Sequence, residues 1–303
     1  MGGIAIIINP ISGGGGHRRD AGDARAAIAR QAVAAARRDA EVVVTRAAGH
    51  GAELARRFVA QQADLVIAWG GDGTLNEVAG PVIGTTTAFG IVRAGSGEGL
   101  ARSLRVPRDP ALALAAALAG PLASMDVGYF GDRHFLNVAG IGFDAAVGAA
   151  FNRRKRRGLF GYFTTTLTMI AGYAPQQYQV TLGGDQIAGR CFLIGFANGP
   201  QYGGNLQLSG SANPQDGWLD AVVIGEGSPL KQLWRTRHLL KGVNRSSAGI
   251  RHARVQTASV TGDRLVCHVD GEPFETSGRA QVRIVPGALR VSGAAGLSPR
   301  RDE

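Results

Sequence analysis

The sequence predicts an α/β fold in two parts: an N-terminal domain with a parallel sheet, then a C-terminal antiparallel β-sandwich. The chain has 303 residues, enough for about two domains at roughly 150 residues each. Up to about residue 120, short apolar strands alternate with amphipathic helices, which is typical of a parallel sheet covered on both faces. From Met125 onward, short strands separated by Gly, Asn and Asp turns dominate, as in a sandwich.

The elements of the first domain follow from local patterns. Runs of β-branched and aliphatic residues predict buried strands, and Ala, Arg and Leu at helical spacing predict helices. The predicted strands are Ile4–Asn9, Glu41–Thr45, Leu65–Trp69 and Phe89–Val92. The predicted helices are Asp20–Asp39, His50–Ala63, a short helix from Thr74, and Ala111–Ala119.

The second domain is predicted to be mostly strands. These are Asp126–Phe130, His134–Val138, Tyr178–Leu182, Cys191–Ala197, Leu219–Ile224, Arg254–Val260, Leu265–Val269 and Gln281–Val285. Two helical stretches, Leu159–Tyr173 and Leu230–Lys241, interrupt them. No low-complexity linker marks the boundary near residue 125, so we expect the two domains to pack closely around a cleft.

Composition and charge exclude several classes of protein. The formal net charge of +10 favours anionic partners such as a nucleotide, a phospholipid surface or a nucleic acid. Cys191 and Cys267 are too few for a disulfide framework or a cysteine zinc site, which fits a reducing cytoplasm. The longest apolar run, Ala111–Ala123, is too short to cross a bilayer, and the N-terminus lacks the pattern of a secretory signal. We therefore expect a cytoplasmic protein, at most peripheral to a membrane.

The strongest functional signal is the segment GGDGTLNE, Gly70–Glu77, between a buried strand and a helix. Its glycines let the backbone approach a ligand, and N–H groups at the start of the helix form an anion site. Asp72 is typical of a ligand, direct or through water, of a Mg²⁺ that bridges phosphates. Thr74 and Glu77 have the spacing of a capping box. An ordinary strand–turn–helix with an Asp cap is the alternative, but no such turn requires the whole segment.

Two further loops follow strands of the same predicted sheet, Asn9–Gly13 and Gly95–Gly97, and Thr45 ends another strand. Ligands of open α/β sheets collect beyond the carboxyl ends of the strands, so these loops predict a nucleotide cleft at that edge. Each loop taken alone fits a plain turn between strand and helix equally well. The phosphate-binding Walker loop, the dinucleotide GxGxxG motif, the GxSxG elbow and the HExxH zinc motif are all missing from the sequence.

These motifs, in this order, resemble the diacylglycerol kinase catalytic-domain family, which includes YegS- and DgkB-like bacterial lipid kinases and is related to the sphingosine kinases. GGDGTLNEV lies between NPISG and AGSGEGLARSL. The likeness continues through nearly the whole chain, in DVG, FLNVAGIGFD, NPQDGWLD, DGEP and PGALRV. GGDGT alone is ambiguous, because NAD kinases and phosphofructokinases resemble it; the motifs of the second domain favour the lipid kinases.

The resemblance implies a fold and an activity. The fold is a nucleotide-binding domain like those of NAD kinase and phosphofructokinase, joined to a sandwich that carries the lipid site. The strand around Ala288–Ser292 would return to the first domain, giving domains 1–124 with 288–303, and 125–287. The activity is ATP- and Mg²⁺-dependent phosphorylation of a lipid hydroxyl, on diacylglycerol, a sphingoid base or a related lipid.

The resemblance also implies the roles of individual residues. ATP contacts fall on Asn9, Thr45, Gly70, Gly71, Asp72, Gly73, Thr74, Leu75, Asn76 and Ser96. Glu272 matches the proposed general base, and Asp216 matches a structural Mg²⁺ ligand together with the backbone carbonyls of Asn213 and Trp218. Asp126 is a candidate for orienting the base or a second metal. The alternative for each of these carboxylates is an ordinary turn residue.

The loop after Ser96 departs from the family pattern, because Glu98 and Gly99 stand where relatives carry an amide and an Asp or Ala. A carboxylate there would repel ATP phosphates unless a metal, Arg93 or Arg102 compensates its charge. We expect Glu98 to tune metal binding. The departure keeps open a catalytically weak lipid- or nucleotide-binding relative, and a kinase of a soluble metabolite such as NAD is the other alternative.

A basic run, Arg153–Arg157, precedes an apolar and aromatic stretch that begins at Leu159. This composition is typical of contact with an anionic membrane surface, from which a lipid substrate must come. A solvated charge run before a core helix is the alternative. No platform of stacking aromatics accompanies the run, so we do not expect a nucleic-acid partner. The sequence is compatible with a homodimer.

Overall fold

The computed structural model describes residues 3–13, 21–95, 97–152, 169–170, 172–201, 207–228, 230–232, 234–235, 246–247 and 249–299. Ser96, the basic run Arg153–Arg157 and most of the predicted helix Leu159–Tyr173 lie outside the described residues. The chain divides into two compact units. The first is Met1–Met125 with Gly287–Glu303, and the second is Asp126–Pro286.

The first unit is a parallel sheet with helices between its strands. Its strands are β1 (Ile4–Ile8), β2 (Ala40–Val44), β3 (Leu65–Gly70) and β4 (Ala88–Arg93). Its helices are α1 (Ala21–Ala35), α2 (His50–Ala60), α3 (Asp72–Ala79), α4 (Gly99–Ser103) and α5 (Pro110–Ala119). The strands pair in parallel in the order β2-β1-β3-β4, and Val291 and Ser292 extend the sheet beside β4. The predicted parallel α/β fold is confirmed.

Burial explains why two strands of this unit, β1 and β3, are apolar along their whole length. Every residue of β1 and β3 is buried, because helices cover a parallel sheet on both faces. The helix α5 begins as its sequence dictates: Asp109 accepts a hydrogen bond from the Leu112 amide at 2.9 Å, and Pro110 occupies the first turn.

The helices α1 and α2 end earlier than the sequence predicts. Beyond each helix a non-glycine residue adopts left-handed backbone, Arg37 with φ 50° and Gln62 with φ 57°. After α1 the chain folds back so that the Arg38 amide donates to the Val33 carbonyl at 3.2 Å, and the same pattern follows α2. This helix ending is usually made by glycine, so the sequence carried no signal for it.

The second unit is an antiparallel sandwich, as predicted. Its strands are β5 (Leu122–Phe130, beginning in the first unit), β6 (Arg133–Phe135), β7 (Val138–Gly142), β8 (Gln176–Leu182), β9 (Asp185–Ala197), β10 (Leu219–Gly225), β11 (Ile250–Val255), β12 (Thr257–Val269) and β13 (Glu272–Ser292), with α6 (Phe143–Asn152) after β7. The strand order is β11-β10-β9-β7-β12-β13, while β8 pairs with β9 and β12, and β5 pairs with β6 and β13.

Two predicted strands are each divided in the structure. The predicted strand Arg254–Val260 is split at Gln256, because β11 pairs with β10 whereas β12 pairs with β13. The predicted strand His134–Val138 is split between β6 and β7, where the backbone amides turn toward the carboxylate of Asp270. Both breaks depend on contacts with residues distant in the sequence, and the local alternation of apolar and polar residues does not predict such contacts.

Alternation along the strands of the sandwich places side chains in two separate cores. In β10, Leu219, Ala221 and Val223 belong to one core, while Val222 and Ile224 belong to the other. The second core includes stacked rings of Phe143 and Phe192, whose centroids lie 4.4 Å apart, so α6 covers this face. Among the described residues, no helix is long and apolar enough to span a membrane.

Candidate functional site

Three loops of the first unit meet at the carboxyl ends of β1, β3 and β4. The Gly71 amide donates to the Ser12 hydroxyl at 3.4 Å. A Cβ added at Gly13, which has φ +74°, would lie 3.3 Å from the Ala94 carbonyl, and one added at Gly95 would lie 3.2 Å from the Cα of Gly71. Glycines at these positions let the loops approach one another closely, because a side chain at either would crowd the backbone of the neighbouring loop.

Asp72 joins two of these loops. It lies in the first turn of α3, after Gly71 in extended conformation. Its carboxylate accepts hydrogen bonds from the amides of Gly99 at 3.2 Å and Leu100 at 3.3 Å, at the start of α4. The carboxylate thus connects the turn after β3 to the loop after β4.

The predicted capping box of Thr74 and Glu77 is wrong. The helix α3 begins at Asp72, so Thr74 lies inside it and is buried. Its hydroxyl accepts from the Asn9 amide nitrogen Nδ2 at 2.8 Å, which ties α3 to the first loop. Glu77 accepts instead from the Gly51 amide at 2.8 Å, placing its negative charge at the N-terminus of α2.

The first loop is held by Arg25, which sequence reasoning missed. The guanidinium donates to the carbonyl of Ser12 at 2.7 Å and to that of Asn9, and it lies 5.9 Å from the ring centroid of Trp69. Burial lowers the pKa of Arg25 from its ordinary value. Arg25 is one of two arginines of α1, and nothing local distinguishes it from Arg30. Thr45 lies just after β2, and its amide donates to the Ile8 carbonyl at 2.8 Å at the same sheet edge.

The unusual carboxylate of Glu98 is paired with Arg93. Glu98 adopts left-handed backbone with φ 53°, which turns its side chain back toward the end of β4. Its Oε2 accepts from Arg93 Nε at 2.9 Å and its Oε1 from the Gly95 amide at 3.3 Å. Both side chains are nearly buried, with exposed fractions of 8% for Arg93 and 11% for Glu98. Of the compensating groups that the sequence suggests, Arg93 therefore balances this charge.

In the second unit, Asp270 anchors the tight turn that precedes Glu272. Asp270 and Gly271 both have positive φ, at 47° and 86°. The Asp270 carboxylate accepts hydrogen bonds from three successive amides, those of Leu136 at 2.7 Å, Asn137 at 2.9 Å and Val138 at 3.0 Å. Glu272 is the first residue of β13 and is exposed, so a well-fixed turn presents its carboxylate to the surroundings.

Replacing Asp270 with Ala is expected to lower the free energy of unfolding by about 2–3 kcal/mol, because three amides lose their shared acceptor. Urea unfolding measures this change, and Asp263→Ala, an exposed position on β12, is the matched control. Equal midpoints for the two variants would show that the Asp270 carboxylate does not hold the turn.

A buried pair lies beneath the same turn. His268 Nε2 is 2.9 Å from Asp144 Oδ2, and both side chains are buried. The Gly271 amide donates to His268 Nδ1 at 3.3 Å, which leaves the proton of a neutral ring on Nε2, facing Asp144. A Cβ at Gly140 would lie 2.1 Å from the Asp144 carboxylate, so glycine is needed there. The sequence carries no local signal for this pair, because the two residues are 124 positions apart.

Asp126 contacts the turn that begins at Asn213. Asp126 is buried, its amide donates to the Pro214 carbonyl at 2.8 Å, and its Oδ2 accepts from the Gly217 amide at 2.7 Å. Asp216 Oδ1 accepts from the Trp218 amide at 3.0 Å, which is an Asx turn. Burial is the largest influence on the pKa of Asp216 and raises it.

A parallel α/β unit with glycine loops joined at the carboxyl ends of its strands, in one chain with an antiparallel sandwich, is the architecture of a two-domain kinase. Residues 3–130 match the family model of the diacylglycerol kinase catalytic domain, and residues 137–293 match that of the YegS C-terminal NAD kinase β-sandwich-like domain. The chain belongs to the YegS-like lipid kinases of the diacylglycerol kinase catalytic-domain family, which confirms the predicted resemblance.

Individual proteins show the same likeness. A protein of Chromohalobacter salexigens named probable lipid kinase YegS-like is 32% identical over 84% of each chain. The diacylglycerol kinase of Mycobacterium tuberculosis is 28% identical over 96% of this chain and 95% of its own. The crystal structure of a diacylglycerol kinase from Bacillus anthracis superposes with a TM-score of 0.76 at 20% identity over 98% of both chains, which shows a shared fold.

Proposed function

We propose that this protein transfers the γ-phosphoryl group of ATP to the hydroxyl of a lipid, diacylglycerol, a sphingoid base or a related lipid, with Mg²⁺ bound at the phosphates. The observation that carries the proposal is the meeting of three glycine loops at the carboxyl edge of the sheet, two of them joined by Asp72, in a chain of this family. The names of the relatives favour a lipid as the acceptor over a soluble metabolite.

The residues at the sheet edge fit a polyphosphate. Loops of glycine let backbone N–H groups approach phosphate oxygens, and the positive end of α3 favours negative charge. Asn9, Thr45 and the segment Gly70–Asn76 would hold ATP, with Ser96 as a further candidate. Asp72 would hold Mg²⁺ directly or through water, and Mg²⁺ bound there would supply neutralisation of the phosphate charge.

Glu272 is our candidate for the base that accepts the proton of the lipid hydroxyl. A hydroxyl is a weak nucleophile until its proton can leave, so a carboxylate in hydrogen-bond reach assists its attack on phosphorus. The turn at Asp270 orders the backbone of Glu272, which lowers the entropy cost of placing that carboxylate. Asp126 would be a positioning residue that acts through the turn at Asn213, which it contacts.

The lipid acceptor requires access to a bilayer. We propose that the protein is cytoplasmic and contacts the anionic membrane surface peripherally, which the net charge of +10 favours. The basic run Arg153–Arg157 is the candidate contact.

Labelled ATP, Mg²⁺ and a total lipid extract test the activity. We expect label in the organic phase, reduced by about 10²–10³-fold in Asp72→Asn, because the carboxylate that joins the loops loses its charge. Asp132→Asn, an exposed position in the turn between β5 and β6, is the matched control. Label that appears only in the aqueous phase on NAD would contradict a lipid acceptor, and absence of transfer to either would indicate a binding protein.

A further inference from the structure

The guanidinium of Arg254 occupies a position between two carboxylates of the second unit. Its Nη2 lies 2.5 Å from Asp216 Oδ2, and its Nε lies 3.7 Å from Asp220 Oδ1. The carboxylates are largely shielded, with exposed fractions of 26% for Asp216 and 10% for Asp220. A cation at this point therefore offsets the mutual repulsion of two partly desolvated charges.

The oxygens around this turn do not fit the Mg²⁺ site that the resemblance implies. Mg²⁺ needs oxygens that converge on one point at about 2.1 Å in octahedral geometry. Here Asp216 Oδ1 accepts from the Trp218 amide and Oδ2 is paired with Arg254, so a Mg²⁺ on this carboxylate would lie against a positive guanidinium. Asp220 Oδ2 accepts from the hydroxyls of Ser209 at 2.5 Å and Ser211 at 2.6 Å.

Arg254 is positioned by the sheet. It lies directly opposite Asp220 in the register of β11 with β10, so the ladder brings the guanidinium beside that carboxylate. Its Cζ is 5.5 Å from the centroid of the Trp218 ring, which gives a planar cation a further contact. Unlike a divalent ion, a guanidinium is wide enough to pair with carboxylates whose oxygens do not converge.

We propose that Arg254 takes the structural place of a divalent cation in this chain: its guanidinium closes the turn Asn213–Trp218 onto β11, so that the turn needs no metal to keep its conformation. This inference concerns the stability of the second unit and is independent of the proposed kinase activity. The Mg²⁺ that accompanies ATP belongs to the other unit and is unaffected by it.

Thermal unfolding without nucleotide tests the proposal. We expect the midpoint of the parent protein to be equal in millimolar Mg²⁺ and in EDTA at matched ionic strength. Arg254→Met should lower that midpoint by about 2–4 °C, because two partly buried carboxylates lose their cation. Arg264→Met, which removes an exposed ion pair with Glu275 from the same sheet, is the matched control and should leave the midpoint unchanged.

A local probe covers the case in which Arg254→Met does not fold. Arg254→Lys keeps the charge, and the emission of Trp218, obtained by subtracting a Trp218→Phe variant, reports on the turn. Parent emission that does not respond to Mg²⁺, together with altered emission in Arg254→Lys, supports the proposal. A parent midpoint or Trp218 emission that rises with Mg²⁺ and loses this response in Asp216→Asn would overturn it, as would equal midpoints for Arg254→Met and Arg264→Met.

Discussion

Glu272→Gln is expected to lower kcat for lipid phosphorylation by about 10²–10⁴-fold, the range typical of a lost general base. Gln has the shape of Glu but cannot accept the proton at neutral pH. Glu272 is exposed at the start of β13, so the change leaves no buried group without a partner and the unfolding midpoint should stay the same. Steady-state rates with a diacylglycerol or sphingoid acceptor measure the effect.

Glu275→Gln is the matched control for this experiment. Glu275 lies on the same strand and is exposed, and its ion pair with Arg264 depresses the pKa of its own carboxyl, so it stays ionised without serving as a base. We expect nearly parental kcat for this variant. Parental kcat in Glu272→Gln itself would assign the proton to another acceptor and remove the role that the resemblance gives to Glu272.

Arg93→Met is expected to destabilise the first unit by about 3–5 kcal/mol, since it leaves the nearly buried carboxylate of Glu98 without its cation. The same variant should bind ATP more weakly, because an uncompensated negative charge then lies beside the loop that carries Gly95 and Gly97. Urea unfolding measures the first effect, and nucleotide titration measures the second.

The double variant Arg93→Met/Glu98→Gln tests whether the losses in Arg93→Met come from the uncompensated charge of Glu98 or from the missing arginine side chain. If the pair acts mainly by mutual neutralisation, the double variant should recover most of the stability and ATP affinity that Arg93→Met loses, giving a large interaction energy in the double-mutant cycle. Additive losses would mean that Arg93 acts through other contacts, such as its hydrogen bond to the Val106 carbonyl. Arg57→Met, which breaks an exposed ion pair with Glu41, controls for loss of an arginine in this unit.

Local pattern was enough to predict the sheet of the first unit. Buried parallel strands such as Ile4–Ile8 are continuous apolar runs, and helices of ordinary length separate them. The loop GGDGT was also recognisable from local sequence, since its glycines and Asp72 are consecutive in the chain. Helix ends were less predictable, because Arg37 and Gln62 adopt left-handed backbone, which neither residue type favours.

The sequence by itself determined the fold class, the family and the set of chemistry-bearing motifs, all of which depend on neighbours along the chain. Only the tertiary structure decided which groups meet. It paired His268 with Asp144, Arg25 with the loop of Ser12, and Glu77 with the start of α2. The same carboxylate or guanidinium can serve as a ligand, a helix cap or an ion-pair partner, and the residue type alone does not distinguish between these roles. The distance and burial of its partner decide which, and both are properties of the folded chain.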